Sequence, residues 1–349
     1  MLARSVIRVP VPGRAAWLPA GFAVLDRSGH QLLVLDRMLA LAARIPIPMR
    51  DDQLDVTVSA DRSWAAFASL DRTVVTDADG SVIWQQECMI ERQGLPQRPA
   101  VHFDGAEHLW LYVPDGDQIA VFDAQTGEEI DRAGLSSCIG AGEFVAHPGG
   151  QYLGLSVAQG QDGTNSYWLH LDGGRIVVRE LPGETLADVA PSGVHYLDLP
   201  HVDKLLAIRS FDDDHILASC EADDIPGFEV HNLPSLIDGP AAELSWRGRS
   251  EYGLNDGAGA YLDDDHVLVG VVTAGHDDDK TELHVVLSTR SLRQIATVDY
   301  GHHGAPRQNS ITRGHDGRWL TYDWRTGVAA LWEPDPTAEE THLTLFDAP

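Results

Sequence analysis

Short apolar segments separated by turn-forming residues run along almost the whole chain. Each segment is rich in Val, Ile, Leu, Trp, Tyr and Phe, and each ends at a cluster of Gly, Asp or Pro. Long stretches with the 3.6-residue spacing of a helix are almost absent. Apolar runs of roughly four to eight residues bounded by turn residues are typical of β-strands joined in hairpins. The pattern therefore predicts an all-β protein.

A repeat recurs along these strands: a turn rich in Asp or Gly, then an aromatic residue or His, then apolar residues. Its aromatic or His positions are Phe22, Trp64, His108, Tyr152, His215, His266 and Trp319. The intervals between them are 42, 44, 44, 63, 51 and 53 residues. A four-stranded propeller blade takes roughly 40–50 residues. Every interval except that of 63 is therefore near the length of one blade.

A second mark follows each repeat position: an apolar stretch that ends in a polar residue. The marks are Asp36, Asp77, Asp123, Asp172, Asn232, Ser288 and Glu333. Asp, Asn or Ser at such a point accepts hydrogen bonds from backbone N–H groups two residues further on and so starts a turn. Each mark predicts a hairpin turn to the next strand of the blade.

Two segments carry a resemblance to known propellers. Val121–Ile130 (VFDAQTGEEI) and Val74–Trp84 (VVTDADGSVIW) resemble the third strand, turn and fourth strand of WD-repeat and YVTN-repeat propellers. The Trp-Asp dipeptide of standard WD repeats is missing from every blade. The resemblance covers the whole chain and implies a propeller fold, without implying a particular activity.

The repeats predict a single closed β-propeller over residues 1–349, with seven blades of four antiparallel strands. The 63-residue interval predicts a long inserted loop over residues 183–204; in the alternative of eight blades, Leu186–Lys204 forms a degenerate extra blade. Closure of the ring removes exposed sheet edges. Ser5–Val11 and Thr341–Phe346 alternate in polarity, and we expect them to complete the last blade from the two ends of the chain.

Charge and cysteine content narrow the classes of partner and compartment. The chain has 53 acidic residues against 25 Lys and Arg, for a net charge of −28. Such a surface repels nucleic-acid phosphates and anionic lipid heads, so we expect no nucleic-acid and no membrane partner. Three widely spaced cysteines form no C-x-x-C pair, which fits a reducing cytoplasm. The N-terminal residues, interrupted by Arg8, Pro10 and Pro12, do not have the pattern of a signal peptide.

In a blade whose strands run A to D from the channel outward, the connections divide between two faces. The A–B and C–D turns lie on one face, named here the turn face. The B–C and D–A connections lie on the other, named the loop face.

Asp212–Asp214 and Asp263–Asp265, each followed by His, suggest a metal motif, but a Ca²⁺ loop needs alternating ligands and a final Glu. Their place in the repeat predicts structural turns on the turn face.

The loop face carries the long connections and several histidines. The long connections are residues 85–99, 134–142, 183–204, 248–258 and 301–309. The histidines are His195, His201, His276, His302 and His303. Nearby carboxylates are Asp198, Asp203, Asp277, Asp278 and Asp279. His with carboxylate suits a divalent metal or acid–base chemistry, and the metal-ligand candidates are His201, His302, His303 and Asp256.

The mouth of the channel is the third feature of the loop face. Strand A is innermost and begins nine to eleven residues before the aromatic or His of the repeat. This register brings polar side chains together at one opening, the usual form of a ligand site. The predicted ligand-binding residues are Arg14, Asp55, Arg98, Glu143, Lys204, Asn255, Asp256, Gln308 and Asn309.

Two functions fit this picture. The first is a binding module that presents the long loops to a protein or small-molecule partner. The alternative is a small-molecule enzyme, a hydrolase, lyase or isomerase, assisted by a divalent metal cofactor or by acid–base residues at the channel mouth. Its catalytic candidates are Glu143, His302 and His201. Leu254–Gly270 also resembles a segment of gluconolactonase-type propellers, which would map one metal ligand onto Asn255, although those proteins have six blades.

Overall fold

The structure is a computed structural model in which the described chain is built of β-strands. Within the described residues there are 28 strands and no α-helix. No helix there has the length and hydrophobicity needed to cross a bilayer. The described residues are 1–10, 14–18, 21–26, 28–51, 54–88, 97–105, 107–114, 116–136, 140–159, 163–183, 185–199, 205–221, 252–273, 282–301, 309–313, 317–323 and 327–335.

The strands form seven four-stranded antiparallel blades in a propeller. The first strand, β1 (Ala3–Pro10), belongs to the last blade, and blade 1 starts at residue 14. Blade 1 consists of β2 (Arg14–Leu18), β3 (Gly21–Asp26), β4 (Gln31–Leu35) and β5 (Leu41–Pro46). Blade 2 consists of β6 (Asp55–Val58), β7 (Trp64–Ala68), β8 (Arg72–Asp77) and β9 (Val82–Glu87). Blade 3 consists of β10 (Ala100–Asp104), β11 (His108–Val113), β12 (Gln118–Asp123) and β13 (Glu129–Gly134).

The next three blades repeat this order. Blade 4 consists of β14 (Gly142–Ala146), β15 (Leu153–Ala158), β16 (Thr164–Asp172) and β17 (Arg175–Glu180). Blade 5 consists of β18 (Thr185–Val189), β19 (His195–Leu199), β20 (Leu205–Ser210) and β21 (Ile216–Glu221). Blade 6 consists of β22 (Tyr252–Tyr261), β23 (His266–Thr273), β24 (Glu282–Ser288) and β25 (Gln294–Thr297). In each blade, strands that are consecutive in sequence pair with each other.

Blade 7 is closed by the N-terminal strand. It consists of β26 (Asn309–Arg313), β27 (Trp319–Asp323) and β28 (Val328–Pro334), with β1 as its outermost strand. The pairing of β1 with β28 runs from Ala3 opposite Pro334 to Pro10 opposite Val328. This confirms the expected role of the N-terminal segment. Thr341–Phe346 lies outside the described residues.

The middle strands of the blades are apolar throughout because both of their faces are covered. In β11 the neighbouring residues Trp110 and Leu111 point to opposite sides. Trp110 packs with Leu155 of blade 4, and Leu111 packs with Val75 of blade 2. Burying each apolar side chain in this way contributes about 1.5–3 kcal/mol. The hydrophobic core is therefore a series of layers between blades.

Close approach of blades near the channel requires glycine. A Cβ on Gly142 of β14 would lie 2.5 Å from the Tyr112 ring and 3.1 Å from Ala100 of blade 3. A Cβ on Gly259 of β22 would lie 2.9 Å from both Leu197 and Leu199 of blade 5. Real Cβ atoms do not tolerate the shorter of these distances, so the innermost strands pack closely only because these residues lack side chains.

The C–D turns confirm the role predicted for the aspartates that end the third strands. Asp36 Oδ1 accepts hydrogen bonds from the backbone N–H groups of Met38 and Ala40. Asp123 Oδ1 accepts bonds from the N–H groups of Gln125, at 3.0 Å, and Thr126, at 2.7 Å. The Thr126 N–H bond is the main reason that the pKa of Asp123 is lowered. The ionised carboxylate thus stabilises the hairpin.

The predicted boundaries of blade 5 are wrong, and so is the loop predicted over residues 183–204. That range contains two strands, β18 and β19, separated by a short turn. The repeat position of this blade is His195, while His215 precedes the fourth strand and the third strand ends at Ser210. Two similar Asp-Asp-Asp-His sequences caused the error, because Asp favours A–B and C–D turns alike.

Correcting blade 5 also moves the long insertion and fixes the number of blades. The long connection is residues 222–251, between β21 and β22, and it contains Asn232 outside the described residues. The segment that the eight-bladed alternative used as an extra blade supplies the first two strands of blade 5. The ring therefore has seven blades, as the repeat predicted.

Candidate functional site

The innermost strands of successive blades begin side by side at the loop-face end of the channel. Asp55 is the first residue of β6, and Thr185 is the first of β18. Glu143 is the second residue of β14, and Arg98 lies two residues before β10. Arg14 and Asn309 are the first residues of β2 and β26, as predicted. All six positions thus lie within two residues of the loop-face start of an innermost strand.

Arg98 is held against blade 4 by its backbone and its side chain. Its carbonyl oxygen accepts a 3.2 Å hydrogen bond from the Gly142 N–H. Its guanidinium Nη2 lies 3.5 Å from the Gly142 carbonyl oxygen, at the outer limit for a hydrogen bond. Arg98 is half-buried, whereas Glu143, the residue after Gly142, is exposed. A cationic and an anionic group therefore lie in the same sector of the mouth.

Asp55 braces two blades. Its Oδ2 accepts a 2.9 Å hydrogen bond from the backbone N–H of Val101 on β10. Asp188 of β18 does the same between blades 5 and 6, because its Oδ2 accepts a 2.8 Å bond from the N–H of Tyr261 on β22. One oxygen of Asp55 is thus committed to the fold, although the residue was predicted as a ligand-binding group.

The other predicted mouth residues divide between β22 and segments outside the described residues. Asn255 and Asp256 lie in β22, where the register with β23 shifts between Leu254 and Gly259. Lys204 was predicted to start the innermost strand of blade 5, but that strand is β18, and Lys204 lies between β19 and β20 outside the described residues. Gln308 is also outside them, as are His201, His302 and His303. Within the described residues, no group of three or more His, Cys, Asp or Glu is arranged to hold a metal, so the metal site stays a prediction.

His195 and Asp198 do not join the site. His195 follows the A–B turn of blade 5 on the turn face, where its Nδ1 lies 2.9 Å from the Tyr261 hydroxyl. Burial is the main reason that its pKa is lowered. Asp198 is buried and pairs with Arg209 at 2.7 Å. His195 was predicted on the loop face because the wrong boundaries of blade 5 placed it in a long loop there.

The turn face is braced from blade to blade. His147 accepts the Gly149 N–H at Nδ1, so its Nε2–H donates to Gly193 O at 3.0 Å in the next blade. Ser192 N–H donates to Asp264 Oδ1 one blade further on, at 3.0 Å. Elsewhere on this face, Trp84 Nε1–H donates to Ala124 O at 2.9 Å. Many turn-face groups are thus engaged by the fold.

The two acidic triplets are turns, as predicted. Asp263 Oδ1 accepts the Asp265 N–H at 2.8 Å and lies 2.9 Å from His266 Nδ1. In blade 5, Asp213 Oδ1 lies 2.5 Å from His215 Nδ1. These contacts are local to each turn, and other carboxylates of the triplets bind outside it, as Asp264 does by accepting the Ser192 N–H.

His102 is a channel-side residue that the sequence pattern did not single out. It lies in the middle of β10, directly opposite Trp110, and its ring centroid is 5.9 Å from that of Phe144 on β14. Desolvation lowers the pKa of His102 to about 4. At neutral pH it is therefore an uncharged, largely apolar part of the inner wall.

We expect His102 to make the fold acid-sensitive. Its pKa is about 4 in the folded protein against an ordinary 6.5, so between these values the unfolded chain binds a proton that the folded chain does not. The free energy of unfolding should therefore fall as the pH drops from 6.5 to 4, by up to about 3 kcal/mol. The measurement is urea unfolding of the wild type and of His102→Asn at pH 7, 5.5 and 4.5. The contribution of His102 is the change with pH in the difference between their free energies of unfolding.

Phe144→Leu is the matched control for that experiment. It perturbs the same ring contact without removing a titrating group, so it should keep the pH dependence of the wild type. If His102→Asn also kept the wild-type dependence, the imidazole would not be desolvated as the structure has it.

Comparison with known proteins identifies the fold but no family. No protein-family model matches the chain, and no curated protein matches it in sequence. The propeller domain of Cps50 (Swd1) from Myceliophteria thermophila is 11% identical, with a TM-score of 0.58 over 95% of this chain and 100% of that one. Hydrazine synthase of Kuenenia stuttgartiensis is 13% identical, with a TM-score of 0.54 over 95% and 98%. The C-terminal WD40 domain of Sif2 is 10% identical, with a TM-score of 0.50 over 96% and 99%.

Proposed function

We propose that this seven-bladed propeller of the WD-repeat type is a binding module whose loop face receives a protein or small-molecule partner. The fold and its WD40-domain neighbours fit a binding role in general. The choice of face rests on one observation, the unequal length of the connections. Long connections on a rigid framework are where binding residues usually lie.

The connection lengths differ sharply between the two faces. On the turn face the longest connection between described strands is residues 147–152. On the loop face the connections include residues 88–99, 222–251, 274–281 and 298–308. Many polar groups of the turn face also form hydrogen bonds with a neighbouring blade, as the bond between His147 and Gly193 illustrates. The loop face therefore has more surface to offer a partner.

The negative charge of the chain favours a basic partner. With a net charge of −28, the protein attracts cationic surfaces over distances of up to the Debye length, roughly 8–10 Å at physiological salt. The association rate with such a partner should fall as salt is added. A partner whose affinity does not depend on ionic strength would contradict this part of the proposal.

The test uses matched charge reversals on the two faces. Asp71→Lys with Glu87→Lys changes two exposed positions on the loop face, and Asp79→Lys with Glu107→Lys changes two on the turn face. Wild type and both variants are immobilised and challenged with extract of the native cell at low and high salt. We expect the loop-face variant to lose at least tenfold in retention of the captured partner and the turn-face variant to keep it.

Two outcomes would oppose the proposal. Loss confined to the turn-face variant would reverse the assignment of faces. Absence of any specific, salt-sensitive capture would favour the alternative function, a small-molecule enzyme at the channel mouth. The observation behind that alternative is that Glu143 is exposed and follows Gly142, whose carbonyl oxygen lies 3.5 Å from the Arg98 guanidinium. A carboxylate there could move a proton in the same sector of the mouth as an anion-holding group.

A further inference from the structure

Blade 4 faces blade 5 with a different kind of surface from the one that other blades present to the next. In blades 1, 2, 5 and 6, three cross-strand neighbours of the B, C and D strands form an apolar row that packs into the core between blades. These rows are Ala23, Val34 and Ala43; Ala66, Val75 and Trp84; Leu197, Ile208 and Ala218; and Leu268, Val286 and Ala296. In blade 4, Val177 lies opposite His170, whose ring centroid is 4.8 Å from that of Tyr152. The corresponding row of blade 4 is therefore largely aromatic and polar.

The outermost member of each row determines whether the interface is closed at the outer rim. In blade 2 this residue is Trp84, whose Nε1–H donates to Ala124 O of blade 3 at 2.9 Å. In blade 3 it is Asp131, whose Oδ2 accepts the Ile176 N–H of blade 4 at 2.8 Å. In blade 4 it is Val177, which has no polar group to reach blade 5 and is 39% exposed. The interface between blades 4 and 5 is therefore left open at this point.

The opening exposes a continuous apolar and aromatic surface. Phe211 of blade 5 is half-buried beside it, with its ring centroid 5.0 Å from that of Tyr152 and its N–H donating to Val194 O at 3.0 Å. Of the nine large apolar side chains that are exposed in the described part of the chain, four belong to these two blades: Val177, Val194, Ile216 and Leu217. We name the surface formed by Tyr152, His170, Val177 and Phe211 the rim patch.

The rim patch also offers hydrogen-bonding groups. Tyr152 and His170 are half-buried, and their hydroxyl and imidazole form no hydrogen bond with any described residue. The nearby His147, in contrast, uses both ring nitrogens within the fold. A tyrosine hydroxyl and a neutral imidazole can each donate and accept, as the N–H and C=O groups of a peptide backbone require. Adjacent strands lie about 4.8 Å apart, so the row across three strands is about 10 Å long, the length of about three extended residues.

The charges around the rim patch favour a basic partner. Its arginines are already compensated, since Arg175 and Arg179 each lie 3.7 Å from a carboxylate oxygen. Asp172 and Asp212, in the C–D turns of blades 4 and 5, are exposed and form no ion pair within the described residues. A second copy of this chain would carry the same net charge of −28 and be repelled. The uncompensated charge is therefore negative, which complements lysine or arginine.

We propose that the rim patch binds a short segment of a partner protein in which a large apolar side chain lies next to lysine or arginine. The apolar side chain packs on Val177 and Phe211, and the basic one reaches Asp172 or Asp212. Tyr152 and His170 bind the backbone of the segment. The inference goes beyond the proposed function, because the rim patch lies at the turn-face end of the outer strands and not on the loop face.

The experiment selects binders from random seven-residue peptides displayed on phage, with the whole wild-type chain immobilised. The enriched peptides are then synthesised, and their affinity is measured by fluorescence anisotropy. We expect them to carry a large apolar residue next to lysine or arginine, and to bind at least tenfold more weakly to Val177→Lys. Val82→Lys is the matched control, because it makes the same change at an exposed valine on the outer strand of blade 2, and it should keep the wild-type affinity.

Two further measurements keep the test informative if Val177→Lys folds poorly. Asp172→Asn combined with Asp212→Asn changes only exposed turn positions and should weaken binding several-fold. Modification of histidines by diethyl pyrocarbonate, mapped by mass spectrometry, should reach His170 in the free protein and be suppressed there by a bound peptide.

Several results would overturn the inference. These are enriched peptides without basic residues, equal affinity for Val177→Lys and the wild type, or a larger loss in Val82→Lys. An unreactive His170 in the free protein would mean that another part of this chain covers the rim patch. A wild-type dimer in sedimentation that Val177→Lys dissociates would make a second copy the occupant. None of these results bears on the proposed function, because the rim variants leave the loop face unchanged.

Discussion

Asp198→Ala is expected to destabilise the protein by about 3–5 kcal/mol, the loss typical when one member of a buried ion pair is removed. Asp198 is 4% exposed and Arg209 is 8% exposed, and their Oδ2 and Nε atoms are 2.7 Å apart. Without the carboxylate, the Arg209 guanidinium would keep its 3.1 Å bond to Asp214 O but remain charged and sheltered from water. The measurement is the free energy of unfolding in urea at pH 7.

Two controls show whether burial is the reason. Glu129→Ala breaks the exposed pair with Arg132, which is 2.5 Å long, and should cost less than about 1 kcal/mol. Replacing both buried partners, Asp198→Leu with Arg209→Met, leaves no unpaired charge and should recover most of the loss. A cost for Asp198→Ala no larger than that for Glu129→Ala would show that water reaches the pair in solution.

The architecture could be predicted because a propeller repeats its local signals. Each blade needs a B strand that is apolar on both faces and a C–D turn that starts with a hydrogen-bond acceptor. Residues such as Trp64 and Asp123 mark these points at nearly constant spacing. Blade number, strand order and the aspartate-capped turns follow from signals within about fifty residues, and the structure agrees with each.

Blade 5 shows where local signals fail. The turn at Asp212–Asp214 resembles that at Asp263–Asp265 in sequence, yet one joins β20 to β21 and the other joins β22 to β23. The chemistry of an aspartate turn is the same in both places, so the sequence alone does not distinguish them. Because of that one error in register, Lys204 was predicted at the mouth, and Thr185, which starts the innermost strand of the blade, was not.

The candidate site was only partly predictable for a further reason: its groups are defined by neighbours in other blades. The bond from Val101 N–H to Asp55 joins residues 46 positions apart, so no local pattern distinguishes a bracing carboxylate from a ligand-binding one. His102 is embedded in an apolar strand and is exceptional only through its desolvation.

Deletion of residues 1–10 is expected to abolish cooperative folding. It removes β1 and leaves blade 7 with three strands and an unpaired edge on β28. The register of the two strands extends from Ala3 to Pro10, and the Ala3 N–H also donates to Asp299 O at 2.8 Å. At a net gain of about 0.5–1.5 kcal/mol for each hydrogen bond, the loss is on the order of 5 kcal/mol before apolar contacts are counted. That is comparable with the entire stability of many proteins, about 5–15 kcal/mol.

Rescue in trans distinguishes loss of closure from general damage. Because β1 is joined to the rest of the ring mainly by pairing with β28, a synthetic peptide of residues 1–10 should restore a cooperative urea transition to the truncated chain, while a scrambled peptide should not. Deleting residues 341–349 instead should have the smaller effect, since β1 already gives blade 7 its fourth strand. A truncated chain that unfolded at the wild-type urea midpoint would mean that closure by β1 contributes little, and that the interfaces between blades hold the ring together without it.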